Sequence, residues 1–126
     1  MNTTEKQLRD TCLAIAAKLS GKVDFDREDY DLEDDEQPSI HDWLGSQLCW
    51  EYQISQDMQF LGARVDVTIG GPNIWVDTRF NQVHGSWGGD NFNCSYQDVY
   101  GLNSILEDEH EIQSQVDQHG SFEIRN

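Results

Sequence analysis

The chain has 126 residues, 37% of them apolar, with four Trp, four Tyr and five Phe. That is enough for one modest core and excludes a fully disordered protein. Acids outnumber Lys and Arg 24 to 8, a net charge of −16, which disfavours direct binding to nucleic acid or anionic membranes and draws the molecule toward basic surfaces.

There is no long apolar run and no signal-peptide pattern, so the expectation is one cytoplasmic domain over residues 1–126 with no membrane contact. Cys12, Cys49 and Cys94 are far apart and form no C-x-x-C pair, which favours reduced thiols over a disulfide framework or structural zinc. The charge is uneven. Residues 1–27 hold four acids and five bases, whereas 28–126 hold twenty acids and only Arg64, Arg79 and Arg125.

Residues 4–20 predict an amphipathic helix. Leu8, Cys12, Ile15, Ala16 and Leu19 share one face, Thr4 and Gln7 make a capping-box pattern, and Gly21 follows as a stop. The segment 24–38, DFDREDYDLEDDEQP, then places nine carboxylates and one arginine in fifteen residues. Phe25, Tyr30 and Leu32 lie among those acids and need burial, so the stretch is expected to be at least partly ordered, with Val23 and Phe25 beginning an edge strand. Ser39 caps a short helical turn ending at Gly45.

From Leu48 the period becomes two. Leu48, Trp50, Tyr52 and Ile54 alternate with polar positions, then Ala63, Val65, Val67 and Ile69, then Ile74, Val76, Thr78 and Phe80. Gly70-Gly71-Pro72-Asn73 signals a hairpin. Closing it on Ile69 and Ile74 pairs Val67 with Val76 and Val65 with Thr78, and sets Asp66 opposite Asp77 and Arg64 opposite Arg79 with opposite-charge diagonals. A tight turn at Asn81-Gln82 brings back Val83, Gly85 and Trp87 on the core face, with His84 and Ser86 outside. Residues 88–95 are expected to be loop. A second helix is interrupted near Gly101–Asn103, capped by Ser104 and Glu107, and ends near Gly120, with Ile105, Ile112 and Val116 inward and Leu106 on the flank. Glu107, Asp108, Glu109 and Glu111 crowd its opening turns, and 121–126 form an edge strand or tail. The expected fold is α+β: an antiparallel meander of three to four strands packed with an N-terminal and a C-terminal helix.

Three readings of the acidic run compete. As a calcium loop, Asp24, Asp26, Glu28 and Asp35 match an EF-hand count, but Asp29 stands where the sharp turn needs Gly. As a solvated loop, it leaves its three large apolar residues unexplained. As a nucleic-acid mimic, an extended strand would space alternate acids (Asp24, Asp26, Glu28; then Asp29, Asp31, Glu33) by ~6.6 Å, of the order of the ~3.4 Å phosphate rise along one DNA strand.

Catalytic patterns are absent. His41, His84, His110 and His119 are scattered, no H-E-x-x-H, G-x-S-x-G or P-loop occurs, and the acids around His110 point in different directions on a helix. Cys49 falls on the polar sheet face and Cys94 in a loop, without basic partners to form a thiolate. Asp66 and Asp77 are better explained by ion pairing with arginine than as an acid–base pair. Trp75 shares the polar face with Asp77, Arg79 and His84; it is either an interface residue or covered by a helix or the acidic loop.

The stretch Ala63 to Asp90, ARVDVTIGGPNIWVDTRFNQVHGSWGGD, resembles a hairpin of small acidic proteins from phages and other mobile elements, most specifically over Val67–Thr78. That resemblance implies a context among anti-CRISPR and anti-restriction inhibitors that act by binding inside a bacterial host cell, and it carries no catalytic residues across. The expected function is an acidic inhibitor occupying the basic groove of a nucleic-acid-binding defence complex as a DNA mimic. Asp29, Asp31, Glu33, Asp34, Asp35 and Glu36 are the first candidates for contact, then Glu107, Asp108, Glu109 and Glu111, with Trp75 beside them. No catalytic residue, metal or cofactor is expected. The alternatives are a calcium-binding or small enzymatic domain, or an accessory protein for a basic partner unrelated to defence.

Overall fold

A computed structural model describes residues 3–125. The order is α1 (Thr3–Leu19), a 3-10 turn (Arg27–Asp29), α2 (Ile40–Gly45), β1 (Cys49–Ile54), β2 (Phe60–Thr68), β3 (Asn73–Asp77), β4 (Gln82–Trp87), β5 (Asp90–Ser95) and α3 (Leu102–Arg125). The strands form one antiparallel sheet in sequence order, an α+β meander with five strands rather than three or four. No described helix is long and apolar enough to cross a membrane.

The predicted stripe of α1 is the one that packs. Leu8, Cys12, Ala16 and Leu19 are buried and Ile15 lies against them. Gly21, at φ +74°, ends the helix, with the Lys22 amide donating to Ala17 and the Gly21 amide to Lys18, a left-handed stop that favours Gly. In α2, Ser39 and Asp42 form a reciprocal capping box. One sheet face and the helices enclose Ala63, Val65, Ile74, Val76, Val83, Leu102 and Leu106. Each buried aliphatic side chain contributes roughly 1.5–3 kcal/mol.

The β2–β3 register differs from the expected one by two residues. Val65 pairs with Val76, Arg64 with Asp77 and Asp66 with Trp75, and the strand bulges before Thr68. The turn is wider than a tight closure on Ile69: Gly70 donates to the Asn73 side chain and the Thr68 hydroxyl donates to the Pro72 carbonyl. A two-residue shift keeps every side chain on its face, so the core survives while the like-charge pairs never form. The strand-end residues Leu48, Ile69 and Phe80 are exposed and lie outside the strands. The next connection is a four-residue loop, Thr78–Asn81, since Asp77 pairs with Gln82; Asn81 takes φ +55°, and the Asp77 carboxylate accepts from the Arg79 and Phe80 amides.

Residues 90–95, expected as loop, are the edge strand β5, pairing fully with β4. Val23 and Phe25, expected to begin an edge strand, are not in a strand. The α3 helix starts at Leu102 because the Asp98 carboxylate accepts from the Leu102 and Asn103 amides and takes the capping role expected of Ser104. It continues past Gly120 to Arg125 without a break, so 121–125 are neither strand nor loose tail. Its inward residues are Leu102, Leu106 and, half-buried, Ile105 and His110, whereas Ile112 is 56% exposed. The side chain of Val116 lies outside the described residues.

A buried hydroxyl ties β2 to α3. The Thr78 hydroxyl accepts from the Ala63 amide at 2.8 Å and lies 2.8 Å from the Asn103 side-chain oxygen. Replacing Thr78 with Val strands both partners and is expected to cost about 1–3 kcal/mol, read as a lower urea midpoint; an unchanged midpoint would contradict the network.

Alkaline pH should loosen the fold. Burial, then the neighbouring Cys94, pushes the Cys12 thiol up to about 11, and burial raises the Tyr96 phenol further, with Asp98 and Asp77 adding to it. Both groups are neutral when protonated, so the folded state holds those protons more tightly. The associated stability is complete below about pH 9, where the unfolded thiol begins to ionise, and is lost as pH rises through about 11. Urea midpoints for wild type should fall over this window, and the fall should be smaller in Cys12→Ala; equal falls would contradict the assignment.

Candidate functional site

The acidic segment is folded onto the domain. Phe25 is 7% exposed, with its ring 5.5 Å from that of Tyr100 in the loop leading into α3. Tyr30 packs against the core, and Leu32 is half-buried. Arg27 lies inside the segment, and its guanidinium donates to the backbone carbonyls of Glu33 and Glu36. That fork closes the loop through carbonyl groups and leaves the carboxylates outward. Asp29, Asp31, Glu33, Asp34, Asp35 and Glu36 are all exposed, as are Asp24, Asp26 and Glu28. The ion pairs Lys6–Asp10 and Arg64–Asp66 both lie outside this segment.

The extended rows of charge expected of a phosphate mimic are not formed. A 3-10 turn at Arg27–Asp29 and a turn at Asp34–Asp35 interrupt the segment, and Arg27 closes it on two carbonyls further along the chain. The calcium count also finds no cage: among the described residues no group of three His, Cys, Asp or Glu is placed to hold a metal ion.

On α3, Glu107, Asp108, Glu109 and Glu111 are exposed. They fall in the second and third turns, since the helix begins at Leu102, and its first turn carries no acid. Their stabilisation by the positive helix end is therefore weaker than expected. His110 turns inward, 4.9 Å from the Tyr52 ring and 5.8 Å from Phe60.

Trp75 lies on the sheet face opposite the core. Strand pairing lines up Cys49, Asp66, Trp75, His84 and Asn93 across all five strands. The Arg64 guanidinium sits 4.3 Å over the Trp75 ring, and His84 stacks on it at 5.3 Å and 10°. Its cover thus comes from neighbouring strands, and the arginine is Arg64. Arg79, expected beside it, lies over Phe80 in the loop. Arg64 also pairs with Asp66 at 3.0 Å, while Asp77 serves the loop amides; the expected diagonals Arg64–Asp77 and Asp66–Arg79 give way to this same-strand pair.

The thiols are held protonated. The Cys49 thiol donates to Asp66 at 3.4 Å, and that bond raises its pKa, with desolvation adding to the shift. Cys94 sits in β5, not a loop, and burial raises it as well. Arg64 pulls the Cys49 thiol the other way, but the bond to Asp66 and the neighbouring acids outweigh it, which does not favour a thiolate nucleophile.

Comparison with protein-family models, curated proteins and solved structures finds no match. Sequence reasoning missed the role of Arg27, whose only signal was its position as the single base within the acidic run. It also missed Arg64 as the residue over Trp75, which depended on the two-residue register shift.

Proposed function

We propose that the chain is a non-enzymatic binding protein that docks its folded acidic segment into the basic nucleic-acid groove of a bacterial defence complex, as anti-CRISPR and anti-restriction inhibitors do. The observation that carries this reading is the Arg27 fork to the Glu33 and Glu36 carbonyls. The one base within the segment is occupied by backbone, so its nine carboxylates are exposed and, among the described residues, have no ion-pair partner. An ordered anionic surface loses less conformational entropy on binding than a tether of equal charge. The mimicry is then of charge density, not of phosphate spacing.

The test is capture from a bacterial lysate containing CRISPR and restriction effectors, comparing tagged wild type with a variant neutralised over Asp29–Glu36. The expected result is a nucleic-acid-binding effector held by wild type, released by salt, displaced by its own nucleic acid, and absent with the variant. Equal capture by the variant would overturn the acidic docking surface. Capture of a basic protein with no nucleic-acid groove would keep that surface and overturn the defence assignment.

A further inference from the structure

The two sheet edges are treated differently. The β1 edge is broken by a register irregularity at Gln53/Ile54 and carries the charge of Glu51. The β5 edge is less protected: its six residues pair in unbroken register with β4, its one charge is Asp90 beside the turn, and Asn91–Ser95 contains no charge and no Pro. Free edges of monomeric proteins are usually blunted by one of these devices.

The outward groups can be assigned. The Tyr96 amide donates to the Asn81 carbonyl, and Gly88-Gly89 closes a two-residue turn between Trp87 and Asp90. In an antiparallel ladder hydrogen-bonded and non-bonded pairs alternate. Residues 90, 92, 94 and 96 therefore bond toward β4, and Asn91, Asn93 and Ser95 present their N–H and C=O groups to solvent. Beside that edge runs a groove of about 380 Å³ lined by Glu5, Arg9, Leu13, Asn91 and Phe92. Glu5, Arg9 and Leu13 are four residues apart, one stripe of α1, and Leu13 is 40% exposed.

We propose that β5 pairs with β5 of a second copy of this chain, forming a two-fold, ten-stranded sheet. Antiparallel pairing centred on Asn93 sets Asn93 against Asn93 of the other copy and Asn91 against Ser95, so all outward groups meet outward groups. The edge is thus self-complementary, as a two-fold interface requires. Charge selects the same occupant: the groove is lined by one acid and one base, which suits a second neutral flank better than a basic partner. Two copies of net charge −16 repel elsewhere, so salt should strengthen the dimer, the opposite of its effect on groove docking.

The test is sedimentation of the full chain from micromolar to millimolar concentration, at low salt and at about 0.5 M, with amide exchange on the same samples. The expected result is a concentration-dependent doubling of mass, favoured by salt, with the Asn91, Asn93 and Ser95 amides protected only in the dimer. Asn93→Pro removes an outward N–H that β4 does not use and should return the protein to monomer. If that variant misfolds, Leu13→Lys, at an exposed site, should weaken the dimer at least tenfold with unchanged circular dichroism. A monomer under all conditions overturns the proposal. So does a dimer whose three edge amides exchange freely, or protection that appears only when another protein is added.

Discussion

Replacing Gly62 with alanine is expected to be the most destabilising single-methyl change in the chain. Gly62 lies in β2, opposite Gln53 of β1, and a Cβ there would sit 2.5 Å from the Arg79 Cβ and 2.7 Å from both its Cα and N. Those atoms cannot move aside cheaply. The Thr78–Asn81 loop is held by the Asp77 carboxylate on the Arg79 amide at 2.9 Å and by the Thr78 amide on the Ala63 carbonyl. A clash with fixed backbone should cost about 3 kcal/mol or more, a large share of the ~5–15 kcal/mol typical of a domain, and lower Tm by roughly 10 °C or more. Gly85→Ala is the graded comparison. Its Cβ would meet the Leu8 Cδ1 at 2.6 Å and the Cys12 Sγ at 2.8 Å, side-chain atoms on a helix that can shift, so about 1–3 kcal/mol is expected. Gly45, with nothing within 4 Å, is the control. If Gly62→Ala melts no lower than Gly45→Ala, the loop does not pack on β2 as described.

Neutralising Asp31, Glu33, Asp34 and Asp35 together is expected to have the largest effect on binding. At roughly 0.2–1 kcal/mol for each exposed charge contact, the combined loss is about 1–4 kcal/mol, or roughly 5- to 700-fold in Kd. Folding should not suffer. These carboxylates are exposed, and the bonds that close the loop use the carbonyls of Glu33 and Glu36, which Asn and Gln retain. Removing like charge from a chain of net −16 should leave Tm unchanged or raise it. A Tm loss parallel to the affinity loss would mean that the carboxylates hold the loop, contrary to the described contacts.

The elements that could be read in advance were those with a dense local signal. The α1 stripe and the alternation through β1–β4 each repeat a period several times over, and Ser39 sits in a local cap pattern. The β2–β3 register was not legible, because parity cannot detect a slip of two residues; only the turn geometry and the bulge before Thr68 decide it. Strand β5 offered just Phe92 and Cys94 as inward residues among asparagines, so its conformation comes from pairing with β4 rather than from propensity. On α3 the expected stripe ran through Ile105, Ile112 and Val116, but His110 fills an inward position where Tyr52 and Phe60 receive its ring. At the candidate site, the exposure of the acids followed from charge alone. Their order did not, since Arg27 reaches backbone carbonyls six and nine residues on, and every residue offers such carbonyls.

Arg27→Gln separates the two accounts of the acidic segment most directly. The change removes the fork that closes the loop and makes the chain one unit more negative. The measurement is the affinity of wild type and Arg27→Gln for the captured partner at one salt concentration, with Tm recorded for both. If the loop acts as an ordered anionic surface, the more negative variant binds more weakly. If it binds as tightly as wild type or tighter, the segment acts through charge alone, and the claim that its folded form is the docking surface is wrong.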